Sequence, residues 1–182
     1  KVGAGFEAMH FFISGKEFSQ PENVRMYSRQ DFDTLFVFRQ MDDPTAKLQI
    51  QQGTQVARPD EWEVANQSAN GFRLMRSIAG AKIAHGQLLA VCPHDGDRYI
   101  LAQVTWLMQD RSGGLVAGIA ALPGTPQAIA TRLLSGHTGK AELYTQAFLL
   151  PPVDAINAPQ SLVLPVGWFQ PSRVIEIYSE TP

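Results

Sequence analysis

Short apolar runs, many alternating with polar residues and closed by Gly, Pro, Asn or Asp, dominate this chain and predict strands rather than helices. The first run covers residues 7–13 and ends at Ser14-Gly15. A polar stretch over residues 16–30 follows, with Pro21 and two arginines. Residues 31–39 carry two signals: Asp31 and Asp33 suit a helix start, whereas Phe36-Val37-Phe38 suits a strand. An Asp42-Asp43-Pro44 turn then leads into residues 47–51.

The clearest strand pattern starts at Trp62. Trp62-Glu63-Val64 and Phe72-Arg73-Leu74 flank residues 66–71, which reads as strand, loop, strand. Strands over residues 87–92, 99–108 and 115–122 come next. Their connections are His94-Asp95-Gly96-Asp97, where Asp-Gly is a strong hairpin signal, and the Gly-rich stretch 110–114. Three strands so spaced form a meander, which must close or pack on a second sheet to hide its edges. After Pro123-Gly124, residues 126–134 fit one short helix or an extended edge. Residues 141–150, 161–164 and 173–178 read as strands. Prolines 151, 152, 159, 165 and 171 make this last section loop-rich, with short or edge strands.

Composition narrows the class. With 182 residues, 45% hydrophobic and 18% charged, the chain is globular and supports one core, or one core plus a satellite module. A formal charge of −2 excludes attachment to nucleic acid by bulk positive charge, although a local arginine cluster can still grip phosphates. Cys92, the one cysteine, cannot form an internal disulfide, so a reducing, cytoplasmic location is expected. No apolar run approaches the ~20 residues of a membrane span. The start at Lys1, without an initiator Met, reads as an excised domain or a processed product.

The candidate chemistry lies in two short patterns. Arg25-Met26-Tyr27-Ser28-Arg29 gives R-x-x-x-R in a polar segment, and Asn66-Gln67-Ser68-Ala69-Asn70-Gly71 gives N-x-S-x-x-G between two strands. Guanidinium forks bind phosphate bidentately and stack on purine faces, so such a pair suits an anionic dinucleotide. Asn66 and Ser68 offer short donors and acceptors, and Gly71 permits a tight turn or a close backbone approach. Arg73 alternates with Phe72 and Leu74 and should face away from them; with Arg76 it adds charge near the same pattern.

In this order the two patterns resemble the signature of PilZ domains, bacterial receptors for cyclic di-GMP. The resemblance extends over the downstream meander, roughly residues 25–122. It implies a mainly β fold: an antiparallel six-stranded PilZ-type β-barrel with extra N- and C-terminal strands and one or two short helices. It implies three parts: an N-terminal extension (1–24), a barrel core (25–122) and a C-terminal extension (123–182) packed on the barrel or completing it. It also implies ligand contacts from Arg25, Arg29, Asn66, Ser68 and Gly71 to cyclic di-GMP, bound singly or as an intercalated dimer; Arg73, from its alternation, is a further candidate contact, its face turned to ligand or to water. Binding would be coupled to a protein partner or neighbouring domain, with no DNA, RNA or further cofactor. The 36 residues from 30 to 65 exceed the family's usual gap, which an insertion within 31–55 would explain. A PilZ-like adaptor that binds no nucleotide, with Trp168 and Phe169 in the Pro-rich section 150–171 as its contact surface, is the alternative.

The remaining polar groups do not make a catalytic or metal site. Cys92, His94, Asp95 and Asp97 look superficially like ligands, but zinc needs four spaced N/S donors and no second Cys or His pair is near. His10 and His85 read as packing or surface residues, and His137 as a loop residue. No nucleophile elbow, phosphate loop or acid–base pair is present, so an enzyme is not expected. Trp62 and Trp106 read as core or barrel-rim anchors.

Overall fold

In the computed structural model, residues 1–21, 58–77, 80–134 and 143–179 are described. Among them the chain forms ten strands, one α-helix and one 3-10 turn. A six-stranded antiparallel sheet has the order β1-β4-β5-β6-β3-β2, from Val2–Ala4 (β1), Glu63–Ser68 (β2), Gly71–Arg76 (β3), Leu88–Val91 (β4), Ile100–Gln109 (β5) and Leu115–Ala121 (β6). A four-stranded antiparallel sheet has the order β10-β7-β8-β9, from Gln127–Leu133 (β7), Thr145–Leu150 (β8), Ser161–Val163 (β9) and Ile175–Tyr178 (β10). The expected mainly β, antiparallel fold with six strands in its principal sheet and extra C-terminal strands is borne out, the N-terminal strand being one of the six.

The larger sheet curls back on itself. Val2 and Asp60 exchange both backbone hydrogen bonds at 2.8 Å, so the free side of β1 meets the segment that leads into β2. That bridge turns an open sheet into a ring, and closure removes exposed edge groups. The interior holds Leu74, Leu89, Val91, Ala102, Val104 and Ile119, all buried. These positions alternate along their strands with outward residues, as a period of two requires. The ring takes β1 from residues 2–4, within the segment set apart above as an N-terminal extension.

The expectation of a strand over residues 7–13 is corrected: Phe6–Ser14 is an α-helix (α1), closed by Gly15 N–H donating to the Phe11 carbonyl at 2.8 Å. Phe6, Met9, His10 and Ile13 recur at i, i+3, i+4 and i+7, the helical stripe. Phe11 and Phe12 fall off that stripe and blur it into a continuous apolar run; Phe12 instead stacks on Tyr99 at 5.4 Å. The stripe packs between the sheets. Met9 shares a buried cluster with Ala90 and Leu101 from the outer face of β4 and β5, and with Phe148 and Leu150 of β8.

Residues 126–134 also differ from expectation. They make neither a helix nor an edge: β7 lies inside the smaller sheet, between β10 and β8. Ile129 and Thr131 are both buried, and β-branched residues two apart fit a pleated surface. Among the described residues, no helix is long and apolar enough to cross a membrane.

Candidate functional site

The N-x-S-x-x-G pattern folds as a tight hairpin rather than a six-residue loop. Asn66 and Ser68 belong to β2, Gly71 opens β3, and the turn is Ala69-Asn70 alone. Register then sets the faces: Asn66 pairs with Arg73 and Ser68 with Gly71. Directly opposed residues on antiparallel strands share a face, so these four lie together. Arg73 is exposed while Leu74 beside it is buried, as the alternation predicted.

The row continues across the ring. Arg73 pairs with Gly118 on β6, and Gly118 pairs with Trp106 on β5. Asn66, Arg73, Gly118 and Trp106 thus form one cross-strand line on the outer surface. The register shifts at both ends of this line, between Val64 and Asn66 and between Val104 and Trp106. Such bulges re-aim side chains and are common beside functional sites. In β5 the bulge makes Thr105 and Trp106 face outward in succession, and Thr105 Oγ1 donates to the Gly118 carbonyl at 3.0 Å.

Two glycines shape the floor. A Cβ at Gly71 would run into the Ile119 carbonyl oxygen, and one at Gly118 would run into the Trp106 indole nitrogen. The close backbone approach expected of Gly71 is therefore present, against β6. Between them these strands enclose an open cleft of about 250 Å³, lined by Asn66, Ser68, Gly71, Arg73, Trp106 and Gly118 with their neighbours. Among the described residues Arg73 is the single charged one in that lining, and its guanidinium carbon stands 6.0 Å from the Trp106 ring centroid. The cleft is shallow.

Hydrogen bonding inside the hairpin is partly committed. The Gln67 amide N–H donates to Asn66 Oδ1 at 2.8 Å. Ser68 Oγ donates weakly, at 3.3 Å to the Gly71 carbonyl and 3.4 Å to Asn70 Oδ1. The long Ser68 contacts leave that hydroxyl easily redirected.

Of the six residues singled out in the sequence, the structure brings Asn66, Ser68, Gly71 and Arg73 to one cleft; Arg25 and Arg29 lie outside the described residues. Trp106 is not a core residue: it is 40% exposed, on the outer face beside Arg73. Trp62 does pack against the ring interior. Arg76 turns away from the cleft to Asp60 and the Trp62 ring. Trp106 was missed because the bulge at Thr105, which decides its face, leaves no mark in the alternation, and Gly118 because only its pairing with Arg73 and Trp106 brings it to the cleft. His94, Asp95 and Asp97 are exposed turn residues, and no group of three or more potential metal ligands occurs among the described residues.

Comparison with known proteins places the fold in context. Residues 129–181 match the family model described as the FimW C-terminal beta-barrel domain, which spans most of the four-stranded sheet. The chain is 29% identical over 115 residues to the cyclic-di-GMP receptor FimW of Pseudomonas aeruginosa. Over that span it is similar to FimW. The alignment covers 63% of this chain and 19% of FimW, so the chain spans about a fifth of the length of that curated relative. The resemblance to cyclic di-GMP receptors read from the sequence agrees with this likeness. No solved structure matches.

Proposed function

We propose that this chain is a cytoplasmic receptor module that binds cyclic di-GMP on the outer face of β2, β3, β6 and β5 and catalyses no reaction. The observation that carries the reading is the single row that sets Asn66, Arg73, Gly118 and Trp106 side by side, with Ser68 and Gly71 in the adjoining pair. Arg73 supplies a bidentate, permanently charged partner for a phosphate in a cleft with no carboxylate among its described lining residues. Ser68 Oγ and the Asn66 amide N–H groups supply short donors for a phosphate oxygen or a base edge. Arg25 and Arg29, matched to the R-x-x-x-R pattern, add two further guanidinium groups. The name of the FimW relative supports the choice of ligand.

Coupling to a partner is assigned to the section after β8. Phe169 is 81% exposed, and Val166 is fully exposed beside it; apolar side chains held in water mark a contact surface. The same feature supports the adaptor alternative.

Calorimetric titration of cyclic di-GMP into the wild type, Arg29→Ala and Ser68→Ala tests the reading and gives the stoichiometry. We expect a Kd on the order of 1 μM or tighter, weakened about tenfold or more by each substitution, the scale of a hydrogen bond to a charged group. Tight binding that both substitutions leave untouched would refute the assigned roles. No heat at all would leave the adaptor reading.

A further inference from the structure

We infer that the cavity between α1 and the four-stranded sheet is a second binding site, which takes a compact, uncharged aromatic molecule bearing an N–H or O–H donor. It shares no described lining residue with the cleft on β2, β3, β5 and β6, and the inference does not depend on the receptor reading.

The cavity measures about 530 Å³, within the range of small-molecule pockets. Its apolar lining includes Ile13 and Phe18 from the helix and the turn after it, Ala128 and Ile129 from β7, and Tyr178 from β10. His10 stands in the same wall and is only 6% exposed. Its Nε2 lies 3.1 Å from the Ile129 carbonyl, which can only accept, so Nε2 carries the proton. Nδ1 is thereby an acceptor, and it is buried without a partner. Buried polar atoms are ordinarily paired, and one left unpaired costs stability. The group missing here is a donor. Burial lowers the pKa of the ring and so keeps it neutral, with that acceptor intact.

The same parts select the occupant. A single water, whose share of space is about 30 Å³, would satisfy Nδ1 but leave most of the cavity unfilled. The rings of Phe18 and His10 meet edge to face, with centroids 5.5 Å apart, and aromatic walls of this kind favour a flat, apolar body. Lys16 and Glu17, also in the lining, carry opposite charges, so the site asks for no net charge. That distinguishes it from the cleft at Arg73, which suits an anion.

The test uses the whole 182-residue chain and two fragment pairs, indole with N-methylindole and benzimidazole with N-methylbenzimidazole. Each pair keeps the flat body and removes the N–H. Heteronuclear NMR of the histidine ring nitrogens should show the His10 Nδ1 resonance moving with the N–H fragments, at a Kd on the order of 1 mM or tighter. The methylated fragments should bind about tenfold or more weakly, the scale of leaving a buried acceptor unpaired. Ala128 shares the α1 face of the sheet with its pair Phe148, so Ala128→Leu narrows the cavity and should abolish the shift. His10→Phe, followed through the fragment signals, should bind both members of a pair alike. Equal affinity within both pairs for the wild type would overturn the donor requirement. No response to either N–H fragment, up to its solubility limit, would overturn the site. Should Ala128→Leu fail to fold, an N–H preference surviving in His10→Phe would overturn the role given to His10.

Discussion

His10 shows what burial does to a single side chain. Its Nε2 lies 3.1 Å from the Ile129 carbonyl, Phe18 and Phe148 flank the ring, and Nδ1 has no hydrogen-bond partner. Burial lowers its pKa below the ordinary 6.5; the bond to Ile129 opposes this, and the Lys16 charge adds to it. The folded state therefore favours the neutral ring. Stability from this residue is present above pH 6.5 and is lost as pH falls toward the lower folded value, because the unfolded chain binds the proton more readily. The thermal midpoint of the wild type should fall more steeply between pH 7 and pH 5 than that of His10→Gln, as read by circular dichroism at several pH values. Equal slopes would contradict this. At this scale the sequence was informative where chemistry is local: Gly71 as a close-approach position and Arg73 as an outward cation follow from residue type and alternation. Trp106 did not, since its outward orientation depends on an extra residue in β5.

At the scale of elements, the joint that closes the ring carries its own polar lock. Asp60 Oδ2 accepts from Arg76 Nη1 at 2.5 Å and from the Ala81 N–H at 2.9 Å, while Arg76 Nη2 donates to the Ala81 carbonyl at 3.1 Å. The same guanidinium lies 4.6 Å from the centroid of the Trp62 ring. Since the backbone of Asp60 also pairs with Val2, one residue ties β1, β3 and the lead into β2 together. Arg76 Nε is already buried without a partner, so losing the carboxylate would strand the cation further. Asp60→Ala should lower unfolding free energy by about 2 kcal/mol, the scale of breaking a charged hydrogen bond, as measured by urea denaturation. A change below about 0.5 kcal/mol, the range of an ordinary surface substitution, would contradict the lock. Most strands were legible because their runs alternate and end in turn residues. The helix at 6–14 was not, because two extra phenylalanines filled the gaps of its stripe. The closing bridge at Asp60 was not legible either: one pair of backbone bonds between residues 2 and 60 leaves no trace in side-chain pattern.

Across the whole molecule, the candidate cleft and the span shared with the FimW domain model lie in different sheets. The cleft belongs to the closed ring, whereas residues 129–181 hold most of the four-stranded sheet. They are joined through packing. Along β5, Leu101 enters the cluster of α1 and Phe148, and Trp106 reaches the cleft five residues later. The ring's capacity for ligand is the central claim. Hydrogen–deuterium exchange with and without cyclic di-GMP tests it most directly, because it reports position as well as binding. Added protection should concentrate in residues 63–76 and 104–120, with the smaller sheet changed less. Protection confined to residues 127–178, with β2 and β3 exchanging as in the free protein, would contradict the account.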